Sequence, residues 1–167
     1  PGYRFIASNT DRSKYYVGEL NGRSSKQAYM DALHISESNI INQTFHNPLG
    51  KMNGQDICII SLKEVSGNGL CCYRQVNDSD VLVLLEEQDY NEILDETLQR
   101  IRRDFNHISG VFSINCVFRY LLFSQEHHME DYLKTMSTLG DHAGLIGFGE
   151  HYNQQFVNLT MTCVVFE

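Results

Sequence analysis

The sequence predicts an α+β fold: one mixed, largely antiparallel sheet with helices packed on it, ending in a β-hairpin. Short β-leaning runs follow one another across tight turns, as in antiparallel meanders. Two stretches carry apolar residues at helical spacing. Strands and helices do not alternate strictly, which argues against a doubly wound parallel sheet. At 167 residues the chain is long enough for one domain with its own core, and residues 1–167 are read as a single domain.

Residues Tyr3–Ser8 and Tyr15–Leu20, joined by the turn-rich Asn9-Thr10-Asp11-Arg12-Ser13, suggest an opening hairpin. Ser24 or Ser25 is a fitting N-cap for a helix running to about His34, with Ala28, Tyr29, Ala32 and Leu33 as its apolar stripe. From Ser36 to Asp56 no regular pattern is visible. Ile57–Leu62, Leu70–Val76 and Val81–Glu86 are then expected as strands, with Gly67-Asn68-Gly69 and Asn77-Asp78-Ser79-Asp80 as turns.

Asp89 and Glu92 have capping-box spacing, and Tyr90, Ile93, Leu94, Leu98 and Ile101 recur helically, so a helix is predicted over about Tyr90–Phe105. Val111–Phe118 alternates, with Phe112, Ile114, Cys116 and Phe118 on one face and Ser113 and Asn115 on the other. Ser124 is expected to cap a helix to about Leu139, with Met129, Tyr132, Leu133 and Met136 inward and Gly140 as its stop. Two strands close the chain, the glycine-punctuated Ala143–Phe148 and the long alternating Phe156–Phe166, with Glu150 near the turn of their hairpin.

Composition excludes several functions. The net charge of −8 and the lack of a basic face argue against a nucleic-acid partner. The densest basic cluster, Arg100, Arg102 and Arg103, ends a predicted helix and complements its dipole. No apolar run is long enough to span a bilayer. The five cysteines form no C-x-x-C pair and sit mostly in apolar runs, as reduced thiols in a cytoplasmic protein do. All five are expected free. The chain opens Pro1-Gly2-Tyr3 and is read as an excised piece of a longer protein. No cofactor motif occurs, and His127, His128 and Glu130 are read as an exposed helix face, not metal ligands.

The ending carries a family signature. Gly144-Leu145-Ile146-Gly147-Phe148-Gly149-Glu150, a short polar loop and then Phe156-Val157-Asn158-Leu159-Thr160 resemble the closing hairpin of FIST C-terminal domains, with Val157 where that family often has His. Ser113-Ile114-Asn115-Cys116-Val117-Phe118-Arg119 is similar to the family's Ser-x-x-Cys-x-x-Arg strand end, and Pro48-Leu49 and Cys72-Tyr73-Arg74 match further positions. The resemblance runs from about residue 14 to the C terminus. It implies a cytoplasmic sensory domain that binds a small molecule such as an amino acid, beside a FIST N-terminal domain and an output signalling module. In some relatives the same module recruits protein partners.

Five residues are singled out for chemistry. Arg119 interrupts the apolar run Val117–Phe123, and a buried arginine needs a carboxylate, from Glu150 or from a ligand. Glu150 follows two glycines and could bind an ammonium group. Asn158 and Thr160 offer directional hydrogen bonds beside it. Cys116 is either a core thiol or, if Arg119 turns toward it, a reactive one. The leading expectation is a non-catalytic site in which Arg119 and Glu150 clamp a zwitterion. The alternatives are an enzyme with Cys116 as nucleophile and His142 or His151 as base, and a protein-interaction module.

Overall fold

The computed structural model describes residues 2–54, 56–152 and 155–167. It is an α+β fold, and chain contacts gather it into two compact units, Pro1–Glu87 and Gln88–Glu167.

The first unit is an antiparallel sheet with one main helix. Its strands are β1 (Arg4–Asp11), β2 (Tyr16–Leu20), β3 (Arg23–Ser24), β4 (Leu49–Asn53), β5 (Asp56–Ile60), β6 (Leu62–Ser66), β7 (Gly69–Cys72) and β8 (Val81–Leu84). The spatial order is β5-β4-β8-β1-β2-β7-β6, with β3 beside β2. The opening hairpin forms as expected, Ala7 opposite Leu20 and Asp11 opposite Tyr16. Helix α1 (Ser25–Leu33) starts where predicted: Ser24 Oγ accepts the Gln27 amide, and His34 ends the helix at φ 55°. Phe5, Leu20, Tyr29, Ile40, Leu49, Leu62, Leu70 and Leu82 are core residues of this unit. The Tyr29 hydroxyl donates to the Asn47 carbonyl, so this buried phenol is satisfied.

The stretch from Ser36 to Asp56 is more regular than its polarity suggests. It contains the short helix α2 (Ile40–Gln43) and strand β4, which lies between β5 and β8. Only Leu49 and Gly50 of β4 are buried, so the strand shows no alternation that a sequence reading could register.

The second unit starts with α3 (Tyr90–Asp104), whose Asp89 carboxylate accepts the Asn91 and Glu92 amides. Strand β9 (Gly110–Cys116) is central in a three-stranded sheet of order β10-β9-β13. Strand β10 (Asp141–Gly147) runs parallel to it, and β13 (Met161–Phe166) runs antiparallel. Helices α4 (Val117–Gln125) and α5 (Met129–Ser137) connect β9 to β10, as a parallel pair requires.

Three details differ from the sequence reading. The helix expected from Ser124 to about Leu139 is α5 alone, and the apolar run before it folds as the separate helix α4; Ser124 sits near the end of α4, donating to the Tyr120 carbonyl. The alternation of Phe156–Phe166 is broken at Leu159, which takes φ 55°, so the run becomes β12 (Gln155–Val157) and β13. The expected hairpin between Ala143–Phe148 and Phe156–Phe166 is replaced, since β10 and β13 both pair with β9: the closing hairpin joins β12 to β11 (Glu150–Tyr152), with Glu150 at its open end opposite Val157, not at its turn. The loop residues 153–154 lie outside the described residues.

Replacing Asp89 with Ala removes both capping hydrogen bonds. The expected loss is about 1 kcal/mol, read as a lower urea midpoint with unchanged slope.

Candidate functional site

The polar face of β9 is the face that the helices cover. Ser113 is fully buried and Asn115 half-buried, while Phe112 and Ile114 point the other way. Polar groups survive there because Tyr132 of α5, itself 2% exposed, brings a hydroxyl down to them. Asn115 Nδ2 donates to Tyr132 Oη at 2.8 Å, and Tyr132 donates to Met161 Sδ at 3.1 Å. Ser113 Oγ is 3.4 Å from the same hydroxyl and 2.9 Å from His142 Nε2. Burial pulls His142 below its ordinary value, which leaves the ring neutral at pH 7.

Between this floor and the helices is a cavity of about 320 Å³, walled by Tyr120, Phe123, Met129 and Leu133 opposite Ser113, Asn115, His142 and Ile146. Gly144 is part of the lining. A Cβ there would lie 2.6 Å from Ser113 O and Oγ, so only glycine lets β10 approach β9 this closely.

Arg119, in the first turn of α4, turns toward two of the aromatic walls. Its guanidinium carbon is 4.5 Å from the Phe123 ring centroid and 5.6 Å from that of Tyr132. Its Nε is buried with no hydrogen-bond partner. Burial pulls the Arg119 value down from its ordinary one, yet a guanidinium stays charged.

Cys116, Glu150 and Thr160 form a second cluster where β9 ends. Glu150 is 3% exposed; its Oε2 accepts from Thr160 Oγ1 at 3.3 Å, and its Oε1 is buried with no partner. The Cys116 thiol lies close to the same carboxylate. Asn158 is buried as well. The left-handed turn at Leu159 sets the Thr160 carbonyl to accept the Cys116 amide at 3.0 Å. Burial raises the Glu150 carboxyl above its ordinary value, against the Thr160 hydrogen bond and the nearby Cys116 thiol.

The Cys116 sulfur stands at the start of α4, facing the backbone N–H groups of Phe118, Leu159 and Arg119. These favour its anion, but burial outweighs them and the thiol is raised overall. No amide makes a full capping bond to it.

A comparison with protein-family models matches residues 26–153 to the FIST C domain. The chain belongs to the FIST C domain family. That family comprises signal-transduction sensory domains. Searches of curated proteins and of solved structures returned no match.

In this FIST C domain the sequence-selected residues fall into two groups. Cys116, Glu150 and Thr160 meet, with Asn158 two residues before Thr160. Arg119 packs against Phe123 and Tyr132, two rings that wall the cavity, and no ion pair links it to Glu150 among the described residues. What Arg119 offers the Cys116 sulfur is its backbone N–H. His142 pairs with Val111 while Cys116 pairs with Gly147, five residues further along β10 or about 16 Å, so His142 is no base for that thiol. His151 is exposed and follows Glu150 on a strand, which turns it to the other side.

His128 corrects the reading of an exposed helix face. It is buried, with its ring 4.5 Å from that of Tyr90 and 4.9 Å from that of Phe123. His127 is exposed, and His127, His128 and Glu130 do not converge on a metal position among the described residues. The sequence reading missed Tyr132 as a polar anchor because its spacing reads only as apolar. All five cysteines are free thiols, as expected.

Two outcomes follow. A raised carboxyl means the folded state holds its proton to higher pH than the unfolded chain. Stability is therefore lost as pH rises from the ordinary glutamate value of 4.5 through the folded one. Glu150→Gln is expected to stabilise the domain at pH 7 and to have little effect at pH 4, by urea denaturation at both. For Cys116, mass-resolved iodoacetamide labelling at pH 7.5 is expected to run at least about tenfold slower in the folded domain than in urea.

Proposed function

We propose that this FIST C domain is the ligand-binding part of a sensory module and takes a small zwitterion, such as an amino acid, into the cavity between β9, β10 and the helices α4 and α5. The supporting observation is the buried, unpartnered Arg119 Nε beside two rings that wall the cavity. A buried guanidinium nitrogen without an acceptor is costly, and a ligand carboxylate would remove that cost. Glu150, with Thr160, Asn158 and Cys116 around it, ties the end of β9 to β11 and to the kink before β13. We assign it the role of responding to the ligand and passing the change to a FIST N-terminal domain and an output module.

A second reading, a protein-interaction surface, is favoured by the outer face of the same sheet. Val164 and Phe166 stay 56% and 53% exposed there, next to Phe112 and Ile114.

Calorimetry against an amino-acid panel tests the first reading. Arg119→Lys keeps the charge but loses the planar fork, and is expected to weaken binding by about 1–3 kcal/mol. Glu150→Gln is expected to bind within about threefold of the parent domain. Abolished binding in a folded Glu150→Gln domain would instead make Glu150 the pole that holds the ammonium group. Absence of binding by every panel member, with a partner retained through Val164 and Phe166, would favour the interaction surface.

A further inference from the structure

We propose that this cavity selects ligands with an apolar body and a compact head carrying an N–H or O–H donor, the head meeting Asn115 Oδ1 at the floor and the body resting on Leu133 and Ile146 at the mouth. The inference rests on the reading that the cavity is the ligand site and adds which ligands it accepts.

The floor dictates the head. Tyr132 gives its proton to Met161, so its oxygen accepts from Asn115 Nδ2. That fixes the orientation of the Asn115 amide and leaves Oδ1, a buried acceptor, with no donor. His142 is neutral and already engaged with Ser113. The unmet need at the floor is thus for a donor, which an ammonium, amide or hydroxyl head supplies and a bare carboxylate does not. A site with an unpaired buried polar group rejects analogues lacking the matching partner far more strongly than a site of apolar contacts does.

The walls dictate the body. Among the described residues the lining holds no Asp, Glu, Lys or Arg, and Arg119, beside the Phe123 and Tyr132 rings, is assigned to the ligand's own carboxylate, so a further charge on the side chain would leave water without a counter-charge. At the mouth Leu133 is 46% exposed and Ile146 44%, and Tyr120 and Met129 continue the apolar wall. An apolar body covers surface that is otherwise wet, and each buried methylene contributes about 0.8 kcal/mol.

Calorimetry with four matched probes tests this: L-leucine, 3-methylbutylamine, 4-methylpentanoate and L-glutamate. Leucine and the amine are expected to bind, with 4-methylpentanoate and glutamate each at least about tenfold weaker than leucine. Asn115→Leu is expected to weaken leucine by about tenfold and leave 4-methylpentanoate unchanged. Should Asn115→Leu fail to fold, Asn115→Asp, which keeps the acceptor and adds charge, is expected to tighten 3-methylbutylamine and weaken 4-methylpentanoate. Binding of 4-methylpentanoate or glutamate as tight as leucine, or indifference of leucine to both Asn115 variants, overturns the inference. If Leu133→Trp at the mouth still abolishes binding in that case, the cavity remains the ligand site and only its selectivity has been misassigned. If no probe binds, both readings fall together.

Discussion

The second unit depends on one buried hydroxyl. Tyr132 Oη stands where α5 crosses β9, and its partners lie on two strands: Asn115 and Ser113 on β9, Met161 on β13. Without it the polar face of β9 would be buried unsatisfied, each group at a cost of about 1–3 kcal/mol. With it, a strand can turn serine and asparagine toward its helices and still pack. The same arrangement opens the cavity, because a floor of short polar side chains under large rings leaves volume that leucines would fill. Gly144 extends the constraint to β10, where any side chain would strike Ser113.

The parallel pairing of β9 and β10 sets where chemistry collects. Both strands end on the same side, and there the chain leaves β9 for α4 and β10 for β11. Cys116, Arg119 and Glu150 all come from these exits. Ligands in open α/β sheets gather at the carboxyl ends of parallel strands for the same reason: connections leave there, and backbone and side chains are free to face a guest. Here a single parallel pair within a mostly antiparallel chain is enough to make such an end.

Much of this was legible in the residues, and the limits have physical causes. The α+β class, the opening hairpin, α1 and α3 follow from turn chemistry and caps that act locally: Ser24 and Asp89 accept the amides their spacing promises. The split of Phe156–Phe166 was not legible. Its alternation is unbroken in sequence, and the left-handed Leu159 is held by contacts with the distant Cys116, not by any local preference, since leucine disfavours that conformation. Val117–Phe123 was read as an apolar run, and short apolar runs do not reveal their period. Of the candidate site, Cys116, Glu150 and Thr160 were selected from the family resemblance and do meet. Of the polar floor, His142 was singled out, as a base and as one of two histidines near the site, but Ser113, Asn115 and Tyr132 escaped selection, because the floor comes from three elements whose pairing no local pattern encodes.

The unpaired atoms show which part of the unit has stability to gain. Among the described residues of the unit, His128 Nε2 is buried without a partner, and so are Asn115 Oδ1 on β9, Arg119 Nε on α4 and Glu150 Oε1 on β11. Native structures satisfy nearly all such groups, so the last three, which border the polar floor and the end of β9, call for an explanation. They also differ in sign: a neutral acceptor, a cationic donor and an acid whose burial favours its proton. No single core substitution would relieve all three, whereas on the proposed reading a guest that offers a donor to Asn115 and an acceptor to Arg119 would relieve two at once. Glu150 is then left as the group whose protonation and hydrogen bonds respond to the movement of the β9 end. On the proposed reading, binding free energy and conformational response would come from the same unsatisfied groups, which is the physical requirement for a domain that senses instead of merely binding.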